Sequence, residues 1–261
     1  MVSVNEFKKY KKENRKISVI TCYDFTSAKI VNETDVDCVL IGDSAAMVMH
    51  GYETTVNANL EMMCYHVSAV AKGATNKFLI ADLPFLQHRR GIDRLIDSVD
   101  KLMKCGANSV KIEGAGDNVK VIEYVVNSGV PVMGHLGLTP QSIYQLGGYK
   151  IQGKNGDENK LIDAAKSLEN AGCFAIVLEL ISSEVAKRIT EAISIPTIGI
   201  GAGQYTSGQV LVFQDMLGCN MGFEPKFLRK YLNGYELIRD AINNYNSDVK
   251  KNDYPSQEES Y

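Results

Sequence analysis

Short apolar runs that end in a carboxylate recur along this chain and restrict its fold more than any other feature. The clearest is residues 77–84, Lys-Phe-Leu-Ile-Ala-Asp-Leu-Pro, in which β-prone residues lead into Asp82 and a proline follows. A run of this length bounded by a proline is typical of a buried parallel strand. Three further runs of this kind end at Asp43, Glu113 and Glu179. Because parallel α/β folds place their ligands at the carboxyl ends of the strands, we expect these carboxylates to share one rim.

Strand-like runs alternate with helical patterns along the chain. Apolar residues from Ile92 to Met103, for example, form one helical stripe, and Gly73 is expected to end the helix from Leu60 in a left-handed cap. The strand–helix unit repeats on the order of every 30 residues, which predicts a (β/α)8 TIM barrel. A doubly wound sheet is the alternative, but it normally has fewer units. The runs that predict strands are residues 16–21, 37–41, 77–82, 108–113, 130–135, 175–179, 195–200 and 209–213.

The chain is long enough for such a barrel and shows no internal boundary. Its 261 residues are close to the ~250 typical of the fold, and no linker or break in composition divides them. We therefore predict a single barrel domain over residues 1–261, with a helical arm at the N-terminus. Residues 225–245 predict a helix interrupted at Gly234, and from Asn246 onward we expect a loose polar tail.

Composition and charge argue against several classes of function. The formal net charge of -3 lacks the clustered basic excess of a nucleic-acid-binding protein. No apolar run approaches the ~18–20 residues of a membrane span, and the charged N-terminus does not predict a secretory signal. The six cysteines form no C-x-x-C pair, which fits neither a disulfide framework nor a zinc site. We therefore expect a cytoplasmic protein without nucleic-acid or membrane partners.

The residue types on the predicted rim suit metal-assisted chemistry. Asp43 and Asp82 are hard oxygen ligands, and Mg²⁺ prefers a couple of carboxylates together with waters and substrate oxygens. Glu113 could be a third ligand, directly or through water. Lys111 lies two residues before Glu113, so both point into the barrel, where the cation could hold a small carboxylate. The rim thus suits a 2-oxo acid that chelates Mg²⁺ and forms a metal-stabilised enolate, with Glu179 as the free carboxylate that takes the proton.

Each of these residues taken alone has a plainer explanation. A single Asp after a strand is most often a helix N-cap, and the Lys and Glu of one strand could form a structural ion pair. His135, at the end of the fifth run, is by itself more often a hydrogen-bonded core or loop histidine than a ligand. The Gly-x-Gly-x-Gly of residues 199–203 could be a tight turn, a phosphate nest or room for a bulky ligand. Only their combination on one rim favours a site.

Six motifs follow one another in the order and spacing of a known enzyme family, from about Thr21 to Leu217. They are Gly-Asp-Ser at 42–44, Ala-Asp-Leu-Pro-Phe at 81–85, Val-Lys-Ile-Glu-Gly at 110–114, Gly-His-Leu-Gly-Leu-Thr-Pro-Gln-Ser at 134–142, Gly-Gly-Tyr-Lys at 147–150 with Gln-Gly at 152–153, and Ile-Gly-Ile-Gly-Ala-Gly at 198–203. In these motifs the chain resembles the ketopantoate hydroxymethyltransferase family. The fourth and fifth motifs are long and specific.

The resemblance implies a fold and an activity. The fold is a (β/α)8 barrel of the phosphoenolpyruvate mutase/isocitrate lyase-like group. The activity is transfer of a hydroxymethyl group from 5,10-methylenetetrahydrofolate to 3-methyl-2-oxobutanoate, which gives 2-dehydropantoate on the route to pantothenate and coenzyme A. Glu179 would be the proton acceptor at C3 of the oxo acid. Family members are homo-oligomers, commonly decamers, so the resemblance also implies a homodecamer.

The resemblance carries site roles over by matching position. Asp43, Asp82 and Glu113 would serve the Mg²⁺ site. Ser44 and Lys111, together with the two aspartates, would hold the oxo acid. The chain departs from the family's usual pattern at 86–90, near the third strand, and at its C-terminal end, so no role is carried over to those residues.

Two alternative functions stay open at this point. The first is a C–C lyase of the isocitrate lyase superfamily, whose catalytic loop is of the Lys-Lys-Cys-Gly-His type. This chain has Lys-Cys-Gly at 104–106, but no His follows and the segment lies at a predicted helix end. The second is a non-catalytic barrel that forms a ring-shaped scaffold. A scaffold has no chemical need for the ionisable residues of the rim, so they favour an enzyme.

Overall fold

A computed structural model describes residues 2–153 and 156–261 of the chain. Contacts along the chain divide it into two compact units, Met1–Leu211 and Val212–Tyr261. The organisation as one domain over 1–261 stays a prediction.

The Met1–Leu211 unit is built around a closed parallel barrel. Its strands are β1 (Ile17–Thr21), β2 (Cys38–Ile41), β3 (Phe78–Asp82), β4 (Ser109–Glu113), β5 (Val132–Gly137), β6 (Ala175–Glu179), β7 (Thr197–Ile200) and β8 (Gly208–Leu211). Within the described residues each strand pairs in parallel with the next along the chain, and β8 pairs with β1 to close the ring. The predicted (β/α)8 barrel is therefore confirmed.

Helices lie between the strands in the predicted alternation. The helices of this unit are α1 (Val4–Lys12), α2 (Phe25–Asn32), α3 (Ala45–Val48), α4 (Leu60–Gly73), α5 (Ile92–Lys104), α6 (Asn118–Asn127), α7 (Ile143–Leu146), α8 (Glu158–Asn170) and α9 (Ser183–Ala192). Single 3-10 turns occur at Thr55–Asn57, Gln87–Arg89 and Pro140–Ser142. Across the part of the chain that the structure describes, no helix combines the length and the apolar character needed to cross a membrane.

The N-terminal helix α1 closes one end of the barrel core. Phe7 is fully buried and packs edge-on against Phe78 and Phe174, at ring-centroid distances of 5.6 and 5.0 Å. Phe78 begins β3 and Phe174 immediately precedes β6, so the aromatic cluster lies at the amino ends of the strands. Lys11 also joins α1 to the residue after α9, because its Nζ donates a hydrogen bond to the carbonyl oxygen of Ile193 at 2.7 Å. The predicted helical arm is thus part of the core.

Two local predictions are corrected in this unit. Gly73 does not form a left-handed cap, because it is the last residue of α4 and a Cβ there would lie 2.6 Å from the Cβ of Ala28 and 2.7 Å from the carbonyl oxygen of Phe25. Glycine is needed for the close approach of α2 and α4. The last strand is Gly208–Leu211 and not 209–213, and a Cβ at Gly208 would lie 2.2 Å from the carbonyl oxygen of Ile17.

The Val212–Tyr261 unit contains α10 (Phe213–Met216), α11 (Gly234–Lys251) and a 3-10 turn at Gln257–Glu259. The predicted helix over 225–245 was wrong at both ends. It begins at Gly234, where a Cβ would lie 2.6 Å from the carbonyl oxygen of Leu217, so only glycine allows the contact. It continues past Asn246, because the last turn carries Lys250 and Lys251, whose charges favour a helix C-terminus.

Candidate active site

Strand register brings the ionisable side chains together at one end of the barrel. Asp82 at the end of β3 pairs with Lys111 of β4, and Glu113 at the end of β4 pairs with His135 of β5. In the next pair of strands, Gly137 of β5 lies opposite Glu179, the last residue of β6. Paired residues of parallel strands present their side chains to the same face. The predicted shared rim is therefore formed by neighbouring strands in register.

Lys111 is the buried cation at the centre of this rim. Its side chain is 4% exposed, and its Nζ lies 3.0 Å from Asp82 Oδ1 and 3.7 Å from Glu113 Oε1. The same nitrogen lies 3.1 Å from His135 Nδ1. The pairing of Lys111 with Glu113 on one face, expected from strand alternation, is observed, but the lysine is shared with a second strand. Lys111 is therefore more than one half of a structural ion pair with Glu113 of the same strand.

His135 connects the buried carboxylates to Glu179. Its Nδ1 lies 3.4 Å from Glu113 Oε1, and its Nε2 lies 3.3 Å from Glu179 Oε2. The side chain of Glu179 is 19% exposed, more than that of His135 or Glu113, so Glu179 lies on the accessible side of the group. His135, which taken alone predicted a core histidine, is thus part of the site. Its position at the end of an apolar run, like the carboxylates, was the available sequence signal.

Asp43 is held by two different neighbours. Its backbone N–H donates to Asp82 Oδ2 at 2.9 Å, and its own Oδ2 accepts from Gln141 Nε2 at 2.8 Å. Neither aspartate is a helix N-cap: α3 begins after Ser44, which makes no side-chain cap bond, and Asp82 lies within β3. The Asp82 carboxylate therefore holds the backbone of Asp43, and the Asp43 carboxylate holds Gln141, so the plainer capping explanation was wrong.

Ser44 is positioned by a tyrosine from the first strand–helix connection. The hydroxyl groups of Tyr23 and Ser44 lie 2.8 Å apart, and Tyr23 is 1% exposed. Tyr23 and Gln141 take part in the site but were not singled out from the sequence. Gln141 was present in the long 134–142 motif, whereas Tyr23 had no signal beyond its place after a strand.

Burial and mutual repulsion dominate the electrostatics of the aspartates. Burial raises the pKa of Asp43 well above its usual value, and the charges of Asp82 and Glu113 act in the same direction. Burial also raises the pKa of Asp82, against the opposing effect of Lys111. For Lys111, burial acts to lower the pKa, but Asp82 and Glu113 outweigh it and the pKa is raised. The aspartates are thus short of positive charge in spite of the lysine.

The charges of His135 and Glu113 stabilise each other. Burial and Lys111 act to lower the pKa of His135, yet Glu113 and Glu179 outweigh them and raise it to about 9. Burial acts to raise the pKa of Glu113, but the hydrogen bond and charge of His135, with Lys111, outweigh it and lower the pKa. The contact between them therefore favours the charged form of each group.

The glycines of residues 199–203 are explained by packing. A Cβ at Gly199 would lie 2.8 Å from Thr206 Oγ1. Gly203 has a φ of +78°, and a Cβ there would lie 2.1 Å from Ser183 Oγ. Close neighbours therefore account for Gly199, which lies within β7, and for Gly203, and Gly201 has a φ of +62° that glycine adopts readily.

The donor set suits a metal that needs few protein ligands. Within residues 2–153 and 156–261, no three His, Cys, Asp or Glu side chains are arranged to hold a metal ion by themselves. Asp82 Oδ1 has no hydrogen-bond partner in the described part of the chain, although Lys111 lies near it as an ion pair. Two buried carboxylates of raised pKa fit Mg²⁺, which completes its shell with waters and substrate oxygens. They do not fit a metal that requires a full protein cage.

Comparison with known families agrees with this geometry. A family model described as ketopantoate hydroxymethyltransferase matches residues 1–257. The chain belongs to that family. The resemblance found in the six sequence motifs is therefore confirmed.

Relatives named 3-methyl-2-oxobutanoate hydroxymethyltransferase match the chain over nearly its whole length. The protein from Coxiella burnetii (strain RSA 493 / Nine Mile phase I) is 53% identical over 99% of this chain and 98% of its own. The protein from Bdellovibrio bacteriovorus is 51% identical over 100% of both chains. That from Francisella tularensis subsp. novicida is 51% identical over 100% of this chain and 99% of its own.

Solved structures share the fold of this family member at low identity. Phosphonopyruvate hydrolase, in complex with oxalate and Mg++, has a TM-score of 0.64 at 10% identity and covers 99% of this chain and 93% of its own. 2,3-Dimethylmalate lyase, a PEP mutase/isocitrate lyase superfamily member, has a TM-score of 0.59 at 15% identity, covering 100% and 89%. These likenesses confirm the predicted barrel fold.

The lyase-like tripeptide at 104–106 and the divergent segment at 86–90 both lie beside α5. Cys105 follows α5 and precedes β4, so it is at the amino end of a strand and not on the rim with the carboxylates. In the divergent 86–90 segment, Leu86 has a φ of +60°, and Gln87 is buried and accepts from Ser98 Oγ at 3.2 Å. The segment is thus anchored to α5. The lyase-like tripeptide has no place at the site of this ketopantoate hydroxymethyltransferase family member.

Proposed function

We propose that this member of the family transfers a hydroxymethyl group from 5,10-methylenetetrahydrofolate to 3-methyl-2-oxobutanoate, giving 2-dehydropantoate. The observation that carries the proposal is one group of interacting ionisable side chains at the carboxyl ends of the strands. Its members are Asp43, Asp82, Lys111, Glu113, His135 and Glu179. The names of relatives about half identical over the full chain support the same reaction.

The charge balance of this group supports a divalent cation. Burial raises the pKa of both Asp43 and Asp82, and a divalent cation beside them would stabilise their ionised forms. Asp43 and Asp82 would be the direct ligands of Mg²⁺. Glu113 would act through water, because its Oε2 accepts from the backbone N–H of Gln141 at 3.1 Å and its Oε1 faces Lys111 and His135. When bound, Mg²⁺ would polarise the oxo group of the substrate and make its C3 proton more acidic.

The other side chains of the group would bind the substrate, accept its proton and orient the base. Lys111, with Ser44, would hold the substrate carboxylate, since a buried ammonium pairs strongly with a carboxylate in a dry site. Glu179 would accept the proton from C3, because it is the most accessible carboxylate of the group and is not needed for the metal. The enolate carbon would form its new bond to the one-carbon unit of the folate. Both C–N bonds of that methylene group would break, water would supply the hydroxyl oxygen of the product, and tetrahydrofolate would leave. His135 would keep Glu179 oriented through the 3.3 Å contact.

The quaternary structure and cellular location belong to the same proposal. Residues of α11 expose an apolar stripe at alternating spacings of three and four, a pattern typical of a helix that packs on another helix. Its members are Tyr235, Ile238, Ile242, Tyr245 and Val249. The stripe supports a homo-oligomer, and the homodecamer stays a prediction that light scattering can measure. The six free cysteines support a reducing cytoplasm.

The first experiment measures hydrogen–deuterium exchange at C3 of 3-methyl-2-oxobutanoate by NMR, with and without Mg²⁺ and without folate. We expect exchange only with the metal, and product formation once 5,10-methylenetetrahydrofolate is added. Absence of exchange in both conditions would favour the non-catalytic scaffold. If exchange occurs but no product forms after the folate is added, the oxo acid is still the substrate and 5,10-methylenetetrahydrofolate is not the donor.

Replacing Asp82 by Asn should weaken the binding of metal and oxo acid together. The substitution removes one charge from a centre that the metal and the oxo acid share, and truncating one partner of a buried hydrogen-bonded charge pair typically costs about 2–5 kcal/mol of binding free energy. Titration calorimetry with Mg²⁺ alone, and then with the oxo acid at fixed Mg²⁺, measures both affinities. Asp97→Asn on α5, a side chain outside the site, is the matched control. If metal binding falls and oxo-acid binding does not, direct chelation is wrong.

A further inference from the structure

Gln141 contacts three parts of the rim at once. It lies in the 3-10 turn Pro140–Ser142 that follows β5, and it is 5% exposed. Its Nε2 donates to Asp43 Oδ2 at 2.8 Å and to the carbonyl oxygen of Leu83 at 3.0 Å. Its backbone N–H donates to Glu113 Oε2 at 3.1 Å. One residue therefore restrains groups that follow β2 and β3 and the last residue of β4.

The chemistry of the amide suits this place. The amide nitrogen has two protons, and both have acceptors here. It holds the carboxylate of Asp43 without adding a charge that would compete with a cation or repel one. Gln141 and Asp43 are 98 residues apart in sequence, so the contact between them arises only in the folded barrel.

A second observation is a buried polar atom of Gln141 that the protein leaves without a partner. Its Oε1 is buried and has no hydrogen-bond partner in the described ranges, and neither does the Oγ1 of Thr55. The turn that begins at Thr55 packs against the turn of Gln141. Buried polar atoms without protein partners are usually satisfied by ordered water, which is also what Mg²⁺ retains in its shell.

We infer that Gln141 is a positioning residue that fixes Asp43 and Glu113 for the divalent cation. The inference rests on the proposed function. Its role is to orient one carboxylate as a direct ligand and the other toward the water shell. Groups that orient metal ligands typically contribute 10–100-fold to metal affinity. We expect an effect of that order for Gln141.

The test is Gln141→Met, which keeps the length of the side chain and the backbone N–H but removes both amide contacts. Mn²⁺ serves as the probe, and its free concentration is measured by electron paramagnetic resonance on the full chain. We expect Mn²⁺ to bind about 10–100-fold more weakly than to the wild type. Gln145→Met, an exposed glutamine on α7, is the matched control and should bind as the wild type does.

A kinetic measurement separates positioning from damage to the fold. C3 exchange by Gln141→Met should fall at limiting Mn²⁺ and recover at saturating Mn²⁺, because the defect is in metal affinity. Gln141→Asn, which shortens the amide by one methylene, should change the affinity in the same direction and tests the inference if the Met variant does not fold.

The outcomes separate the positioning role of Gln141 from the proposed function. If the wild type shows metal-dependent exchange and both Gln141 variants bind Mn²⁺ within twofold of the Gln145 control, the positioning role is wrong and the proposed function stands. If the wild type neither binds Mn²⁺ nor catalyses exchange, the proposed function is wrong and the positioning role is wrong with it.

Discussion

Glu179→Gln should abolish proton exchange at C3 of the oxo acid while metal-dependent binding of that acid is kept. The amide cannot accept the proton, and removal of a positioned base typically lowers the rate ~10²–10⁴-fold. The carboxylate lies beside His135 but makes no contact with Asp43 or Asp82 among the described hydrogen bonds and ion pairs, so the binding centre should survive. NMR exchange rates and calorimetric affinities of the same preparation measure the two properties separately.

The matched control is Glu184→Gln, the same substitution five residues later on the exposed surface of α9. It should exchange at the wild-type rate. Exchange at a normal rate in Glu179→Gln would assign the base to another group. Loss of binding together with exchange would mean that Glu179 belongs to the binding centre.

Phe7→Ala should cause the largest loss of stability among substitutions outside the site. The ring is fully buried between Phe78 and Phe174, and removal of a buried phenylalanine typically costs about 3–5 kcal/mol because a cavity remains. The free energy of unfolding, measured by urea denaturation followed by circular dichroism, tests this. The oxo-acid affinity of the folded fraction should not change, because Phe7 is at the opposite end of the barrel from the site.

Phe25→Ala provides the comparison, since Phe25 is 47% exposed at the start of α2. A substitution at such a position usually changes stability by about 0.5 kcal/mol or less. If Phe7→Ala is no more destabilising than Phe25→Ala, the N-terminal helix does not close the core. The arm would then lie outside the core.

Local patterns were sufficient for the strands and for most of the helices. Apolar runs with a breaker predicted every strand of the barrel, because a strand buried on both faces has little choice of residue. Predictions failed where a contact with a distant segment set the boundary. Gly73 is explained by the Cβ of Ala28 and Gly234 by the carbonyl oxygen of Leu217, and neither neighbour is adjacent in sequence.

The site was predicted only in part, because some of its residues reach it through contacts between distant segments. Strand alternation places Lys111 and Glu113 on one face, so their proximity follows from the sequence. The roles of His135 and Gln141 do not follow, since an imidazole or an amide is common in cores and loops. Only the register of β4 with β5 and the turn after β5 bring them to Glu113.

The sequence by itself determined the fold class, the family and the carboxylates on the rim, because periodicity, strand endings and motif spacing are properties of the chain. The tertiary structure decided which of these groups touch. Closing the barrel brings Asp43, Asp82 and Gln141 within hydrogen-bond distance and removes them from water. Burial then raises the pKa of both aspartates. That electrostatic state depends on distances and solvent exclusion, which no linear pattern encodes.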